Sequence, residues 1–272
     1  MPDHITPETL QPYLSRERLP QVLCFSSTDS TNLRLKEHAL QNGVTHGLVA
    51  IANEQTAGRG RLGRSFSTRT QQGVYLSILL DPAQMGPVPS LSSWTALTSW
   101  AAVASCNAIE EVYGIRPQIK WVNDLVLNGR KAGGILTEME TDGDGISLRN
   151  IILGIGINVQ EKKADFPEEL QETATSLLLE TRKRIPRAQL AAALIRHLDC
   201  LCTDWPAAQP QYLAQYRNDS LVIGKKIRVL SGEKEQKALA LSIGEDFSLH
   251  VRYANGETDD LRGGEISIRP ST

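Results

Sequence analysis

The stretch QTAGRGRLGRSF (residues 55–66) places three glycines, three arginines and no acid in one dodecapeptide, within a chain whose formal net charge is −2. Gly58, Gly60 and Gly63 spell G-x-G-x-x-G, the dinucleotide fingerprint, so its reading decides the fold. A Rossmann site needs a helix that opens at the last glycine and then a strand that ends in an acid. Asp81 sits at a suitable distance, but RSFSTRTQQ (64–72) is polar, lacks helical periodicity and is too short for a crossover helix. A kinase glycine loop fails because no β3 lysine motif follows it, and no G-x-x-x-x-G-K-[ST] occurs anywhere. The doubly wound fold is therefore excluded. What remains is an anion-binding loop: glycines let backbone N–H groups approach a negative group, and arginine forks match phosphate or carboxylate.

Outward from the loop, GLVAIAN (47–53) and GVYLSILL (73–80) are apolar runs that predict buried strands. Asp29 or Ser30 is positioned to cap a helix that stops at Asn42-Gly43. Trp94, Leu97, Ala101, Ala104, Ala108 and Val112 recur at the helical period, and Gly114 ends the pattern. Strands follow at QIKW (118–121), DLVLN (124–128), GGILTEME (133–140) and NIILGIGIN (150–158), with Asn128-Gly129 as a hairpin turn. Glycines inside the last of these predict a close approach to the backbone. Helices resume after Pro186 and after Pro210. From Leu221 the texture changes to short strands (KKIRVL, KALALSI, SLHVRY, EISIR) between turns, with no proline until Pro270. This predicts a catalytic domain over residues 1–220 and a small all-β barrel over 221–272.

Bulk properties narrow the function classes. The chain has 272 residues, 40% hydrophobic and 22% charged, with a pI near 6.2, so no global field draws it to nucleic acid or membrane. No apolar run is long enough to span a bilayer and the first twenty residues contain no apolar signal segment, so a cytoplasmic location is expected. Cys24, Cys106, Cys200 and Cys202 show no disulfide framework and read as reduced thiols. A zinc site from His197, Cys200 and Cys202 is disfavoured, because positions i and i+2 point to different sides of a helix.

A second cluster, KWVNDLVLNGRKAGG (120–134), holds Lys120, Asn123, Asp124 and Lys131 on a predicted hairpin, with Lys131 beside Gly133-Gly134. Two readings stand for it: an ordinary surface hairpin, or a compact site for a negative group.

The pieces STN (30–32), QTAGRGRLGR (55–64), KWVND (120–124), GRKAGGIL (129–136), GIGIN (154–158) and GGEISIR (263–269) resemble the biotin–protein ligases, in that family's order and spacing. The resemblance implies an α/β catalytic domain on a mixed sheet, followed by an SH3-like barrel. It implies activation of biotin by ATP to biotinyl-5′-AMP and transfer to one lysine of a biotin carboxyl carrier domain, of acetyl-CoA carboxylase or a related carboxylase. It further implies that Ser30, Thr31 and Gln55 hold the ureido ring of biotin, with Asn32 beside them. Arg59, Gly60 and Arg61 would close over biotin and the adenylate, and Lys131 would contact the carboxylate and phosphate. Arg59, Arg61 and Lys131 are thus the expected catalytic groups. Arg61, Arg64, Phe66, Asn123, Asn158, Glu265 and Arg269 would line the nucleotide, and Asp124 would hold Mg2+. Such chemistry joins a carboxylate to a polyanion, so it needs fixed cations and donors and no side-chain nucleophile.

Three departures from the family pattern stand out. Val122 replaces the usual proline, which restores a backbone N–H. Phe66 stands where the family has tryptophan and stacks with less area. Only 29 residues precede Ser30, without a basic recognition helix, so a mono-functional enzyme that does not bind DNA or membrane is expected, as monomer or homodimer. The rival readings are a lipoate or octanoate ligase or transferase, a nucleic-acid-binding regulator, and a non-catalytic biotin sensor. The polar trio Ser30, Thr31 and Gln55 opposes the first, since lipoyl chains lack a ureido ring, and the acidic pI opposes the second.

Overall fold

The computed structural model describes residues 3–63, 71–88, 90–142, 147–231 and 234–268. Seven strands form the main sheet: β1 (Val22–Phe25), β2 (Val49–Ala52), β3 (Val74–Leu80), β4 (Gln118–Lys120), β5 (Asp124–Leu127), β6 (Arg130–Thr141) and β7 (Leu148–Ile157). Their order is β1-β2-β3-β7-β6-β5-β4, and β1 with β2 is the one parallel pair. The strand after the glycine-arginine loop, β3, runs antiparallel to β2. A dinucleotide unit would need a parallel crossover there, so the exclusion of that fold holds. At the β5–β6 turn both Asn128 (φ 48°) and Gly129 (φ 77°) are left-handed, the geometry that makes Asn-Gly a hairpin signal.

The helices are α1 (Pro7–Leu10), α2 (Thr31–Asn42), α3 (Leu97–Tyr113), α4 (Leu177–Thr181), α5 (Arg187–Asp204) and α6 (Gln209–Asp219). Period-2 alternation in β3 sorts them into layers. Val74, Leu76, Ile78 and Leu80 join the large core that includes residues of α3, α5 and α6, while Leu79 joins Leu35 and Ala39 of α2 in a smaller one. Most positions of α3 are buried, and Trp100 stacks on Tyr212 of α6 with centroids 3.8 Å apart. Gly114 (φ 72°) caps α3 as expected.

The C-terminal strands are β8 (Lys226–Ser231), β9 (Lys234–Ile243), β10 (Leu249–Tyr253), β11 (Thr258–Leu261) and β12 (Glu265–Ile268). They form one antiparallel sheet, ordered β11-β10-β9-β8-β12, consistent with an SH3-like module. Strand β11 goes unread in the sequence because it is an edge: its Thr-Asp-Asp-Leu is largely exposed and carries no alternation. This sheet docks on the segment between β4 and β5. Trp121 donates its indole N–H to the Phe247 carbonyl (3.0 Å), and Tyr216 O–H donates to the Val122 carbonyl (3.1 Å).

Arg187, fully buried at the start of α5, ties the two roots of the glycine-arginine loop. Its guanidinium donates to Asn53 Oδ1 (3.0 Å) before the loop and to the Gly73 carbonyl (2.7 Å) after it. Glu161 and Tyr75 lie in the same buried region, where burial pushes the Glu161 carboxyl up to about 7 against the pull of Arg187.

Candidate active site

The α2-side face of the sheet is covered by helix only in part. Where α2 begins, the floor continues as Gly154, Gly156, Leu136 and Gly134, and the missing side chains leave a cavity of about 370 Å³. Gly154 has no room for a side chain and Gly134 has little. A Cβ on Gly154 would lie 2.3 Å from Asn32 Oδ1, and one on Gly134 would lie 3.3 Å from Lys131 Nζ. The glycines in GIGIN and GRKAGG thus make room for two site side chains, the close approach that the sequence predicts.

One end of the cavity is neutral and polar. Ser30, Thr31 and Asn32 form the first turn of α2 and are buried. Residues 54–57 run beside 28–29 through a Thr28–Gln55 bridge, which delivers Gln55 to the helix start. Gln55 Oε1 accepts from Thr31 N (2.7 Å) and lies 3.1 Å from Thr31 Oγ1. Asp29 does not cap the helix from its side chain but accepts from Ser30 N at 2.6 Å. Burial raises the Asp29 carboxyl's pKa, yet the Ser30 amide, the Thr28 hydroxyl and Arg34 outweigh it and lower the net value.

The other end carries the cations. Lys131 Nζ donates to Asp124 Oδ1 at 2.5 Å. Arg61 donates to Asn123 Oδ1 and to the Gly264 carbonyl, each at 3.0 Å, and so links the loop to the C-terminal sheet. Asn123 is itself held, through Nδ2, by the Ile135 carbonyl (2.8 Å). Arg59 pairs with Glu138 at 3.0 Å. Each of these cations already has an internal partner, so an incoming anion would exchange with it and fill no vacancy. The hairpin brings Lys120 and Lys131 to the same cavity.

Most of the anticipated residues converge. Ser30, Thr31, Asn32 and Gln55 line one end; Arg59, Gly60, Arg61, Asn123, Asp124 and Lys131 line the rest. Asn158 also lines it, but its amide is engaged with the Thr175 carbonyl (3.0 Å) and its N–H with the Ala132 carbonyl (2.8 Å), so it braces the wall. Arg64, Phe66 and Arg269 lie outside the described residues, as does the side chain of Glu265, whose backbone pairs with Leu230. Among the described residues, no group of three or more His, Cys, Asp or Glu is placed to share a metal, and His197 pairs with Glu111.

Sequence reading misses three contributors. Ser77 interrupts the apolar run VYLSILL, and its hydroxyl lies 2.6 Å from Thr31 Oγ1 and 2.5 Å from Asn32 Oδ1. A lone serine inside a fully buried strand was the available signal. Glu138, behind the cavity, gives no such signal, because it stands between other polar residues, Thr137 and Glu140, on the half-buried part of β6. Phe166 and Leu170 complete one wall from a polar segment whose backbone clamps Lys131, with Lys131 N on the Thr173 carbonyl and Thr175 N on the Lys131 carbonyl (2.8 Å each). The Trp121–Val122 peptide is cis.

The cavity therefore suits a molecule with a neutral hydrogen-bonding ring at one end and an anionic group at the other. Residues 24–158 match the biotin/lipoate A/B protein ligase family. The chain is 33% identical over 250 residues to the biotin–[acetyl-CoA-carboxylase] ligase of Mycobacterium tuberculosis, covering 90% of this chain and 88% of that protein. It is 37% identical over 185 residues to the bifunctional ligase/repressor BirA of Bacillus subtilis, covering 68% of this chain but 54% of that protein; the match spans about half of that relative's length. Among solved structures, biotin protein ligase from Aquifex aeolicus in complex with biotin and ATP superposes with a TM-score of 0.76 at 27% identity, covering 92% of this chain and 99% of that one.

Proposed function

Because the chain belongs to the biotin/lipoate A/B protein ligase family, we propose that it activates biotin with ATP and transfers it to a lysine of a carboxylase carrier domain. The observation that carries the proposal is the polarity of this cavity: a largely buried neutral end built from Thr31, Gln55, Ser77 and Asn32, and a cationic end built from Lys131 and Arg61. A ureido ring, with two N–H donors and a carbonyl, matches the first; a carboxylate beside a phosphate matches the second. A dithiolane ring has neither an N–H donor nor a carbonyl to add to those groups.

In the first step a biotin carboxylate oxygen attacks the α-phosphorus of ATP, and the bond to the β-phosphate breaks as pyrophosphate leaves. Lys131 and Arg61 would neutralise the charge that accumulates as two anions meet. In the second step the acceptor amine attacks the mixed-anhydride carbonyl, the bond to AMP breaks, and the amine loses a proton. The chain's part here is orientation and exclusion of water by the 58–61 segment lying across the cavity. Magnesium fits the donors present. Asp124 is the one carboxylate on the cavity among the described residues, and Mg2+ binds through one or two carboxylates with phosphate oxygens and water. It would supply charge neutralisation at the phosphates. Residues 221–272 form, in this reading, a separate module that closes the nucleotide end through Gly264 and the backbone around Glu265.

The test is pyrophosphate release measured with ATP and biotin, lipoate or octanoate, followed by mass analysis of a carrier domain. Release with biotin and a mass gain on one carrier lysine are expected. Release with lipoate in place of biotin would turn the reading to lipoylation; tight biotin binding without release would make the chain a sensor.

A further inference from the structure

Glu138 does not line the cavity, yet it touches two residues that do. Its Oε1 pairs with Arg59 Nη1 at 3.0 Å, and its Oε2 accepts from Asn32 Nδ2 at 2.7 Å. From Asn32 a run of short contacts enters the buried end: Asn32 Oδ1 to Ser77 Oγ (2.5 Å), Ser77 Oγ to Thr31 Oγ1 (2.6 Å), and Thr31 to Gln55 Oε1. Gly154 keeps the run tight, since any side chain there would displace the Asn32 amide.

Hydroxyls and amides can be strung together in either direction unless one end is fixed. A carboxylate has no proton to give. Glu138 therefore obliges Asn32 to turn its NH2 outward and its carbonyl toward Ser77. A carbonyl only accepts, so Ser77 commits its single hydrogen to Asn32. Ser77 can then only accept from Thr31, so the single Thr31 hydroxyl hydrogen goes to Ser77 at 2.6 Å and not to Gln55 Oε1 at 3.1 Å, which keeps the Thr31 amide as its donor; the Thr31 oxygen then retains lone-pair capacity for the occupant of the cavity. We infer that Glu138 fixes the donor–acceptor direction of this chain, and thereby makes the buried end an acceptor for a ring N–H. It is a positioning residue for specificity, acting through Asn32, Ser77 and Thr31. The inference rests on the biotin reading for the identity of the ring.

Glu138→Gln keeps the size but adds a donor, so the Asn32 amide is free to reverse and the chain loses its imposed direction. The neighbouring tie between α2 and β6, Lys36 with Glu140, docks the same helix on the same strand without entering the chain, and serves as the control. Calorimetric titration of biotin, without ATP, is measured on the whole protein, on Glu138→Gln, on Glu140→Gln, and on Glu138→Gln in an Arg59→Met background. Expected is a biotin Kd raised about ten- to a hundredfold by Glu138→Gln, with the ATP Kd unchanged. Glu140→Gln should bind biotin as the parent does, and the Glu138→Gln effect should persist without Arg59. Unchanged biotin binding in Glu138→Gln overturns the inference. So does equal weakening in Glu140→Gln, which would mean simple helix docking, or disappearance of the effect in the Arg59→Met background, which would route it through the ion pair. A parent protein that does not bind biotin sinks the functional reading itself, and this is visible before any variant is made.

Discussion

The two ends of the cavity are built on opposite plans. The end at Ser30–Asn32 is made of neutral groups, mostly buried, and Thr31, Asn32, Ser77 and Gln55 bond one another, with the Glu138 carboxylate anchoring Asn32 from behind. The anion end is made of charges that remain partly in water; the Lys131 side chain is 42% exposed and that of Arg59 45%. Those charges are held by provisional partners, Asp124, Asn123 and Glu138. The first plan gives shape selectivity from a pre-formed surface. The second gives attraction at the moment when charge meets charge, and requires partners to be exchanged. Neutral hydrogen bonds tolerate burial at a cost of about 1–3 kcal/mol when broken, whereas an unpaired buried charge costs more, which is why the cations sit nearer to solvent.

Variants can break or sharpen this contrast, and the largest effect is expected at Lys131. Lys131→Ala removes the cation proposed to face the carboxylate and phosphate and should slow adenylate formation by on the order of 3 kcal/mol, a hundredfold or more. Pyrophosphate release near the parent rate would remove Lys131 from the chemistry. Arg61→Gly should act differently, because Lys131 remains. Adenylate still forms but escapes about ten- to a hundredfold faster, read as biotin on bystander proteins and reduced carrier labelling. Equal loss of synthesis and labelling, with clean bystanders, would place Arg61 in the chemistry and not in retention. At the other end, Thr31→Val preserves shape and deletes the hydroxyl at the centre of the bonded groups. Biotin Kd should rise about tenfold while the ATP Kd holds; a matching change in ATP binding would show that the two ends are not separable.

The smallest effect on the reaction is expected from Glu161→Gln, which touches stability. Glu161 ionises near 4.5 when ordinary and near 7 in the fold, because burial opposes its charge. Between those values the folded state binds the proton more tightly than the unfolded one, so stability falls as pH rises from 4.5 to about 7 and then levels. Glutamine cannot ionise, so the variant should lose this slope, and urea denaturation at pH 5 and pH 8 reads it. A slope unchanged in the variant would mean that Glu161 stays ionised beside Arg187.

The sequence and the structure agree best where a residue type has only one physical use. Asn128-Gly129 needed left-handed backbone and became a hairpin; Gly114 ended its helix; the glycines at 134 and 154 marked crowded places. The glycine-arginine loop reads as an anion site because arginine and glycine together have few other roles, and Arg59, Gly60 and Arg61 do line the cavity. What stayed hidden was relational. Ser77 looks like an imperfection in an apolar strand and Glu138 like one polar residue among others, and only the pairing of Leu136 with Gly154 and Glu138 with Ile152 puts them on the face of α2. β1, four residues containing a cysteine, and β11, an exposed edge, lacked the periodicity that betrays a strand. The walls at Phe166 and Leu170 come from a polar segment whose two apolar residues have no period to read.

The buried Arg187 has a consequence for how this protein can vary. By holding Asn53 and Gly73 it adds a buried clamp to a base that the β2–β3 pairing already closes, so the intervening residues are a ring fixed at both ends. For such a ring the entropy of closure grows only with the logarithm of its length, so a doubling costs about 0.6 kcal/mol. Lid length is then nearly free to change, by insertion in a lineage or at the bench, while the base and the cavity beneath it stay as they are.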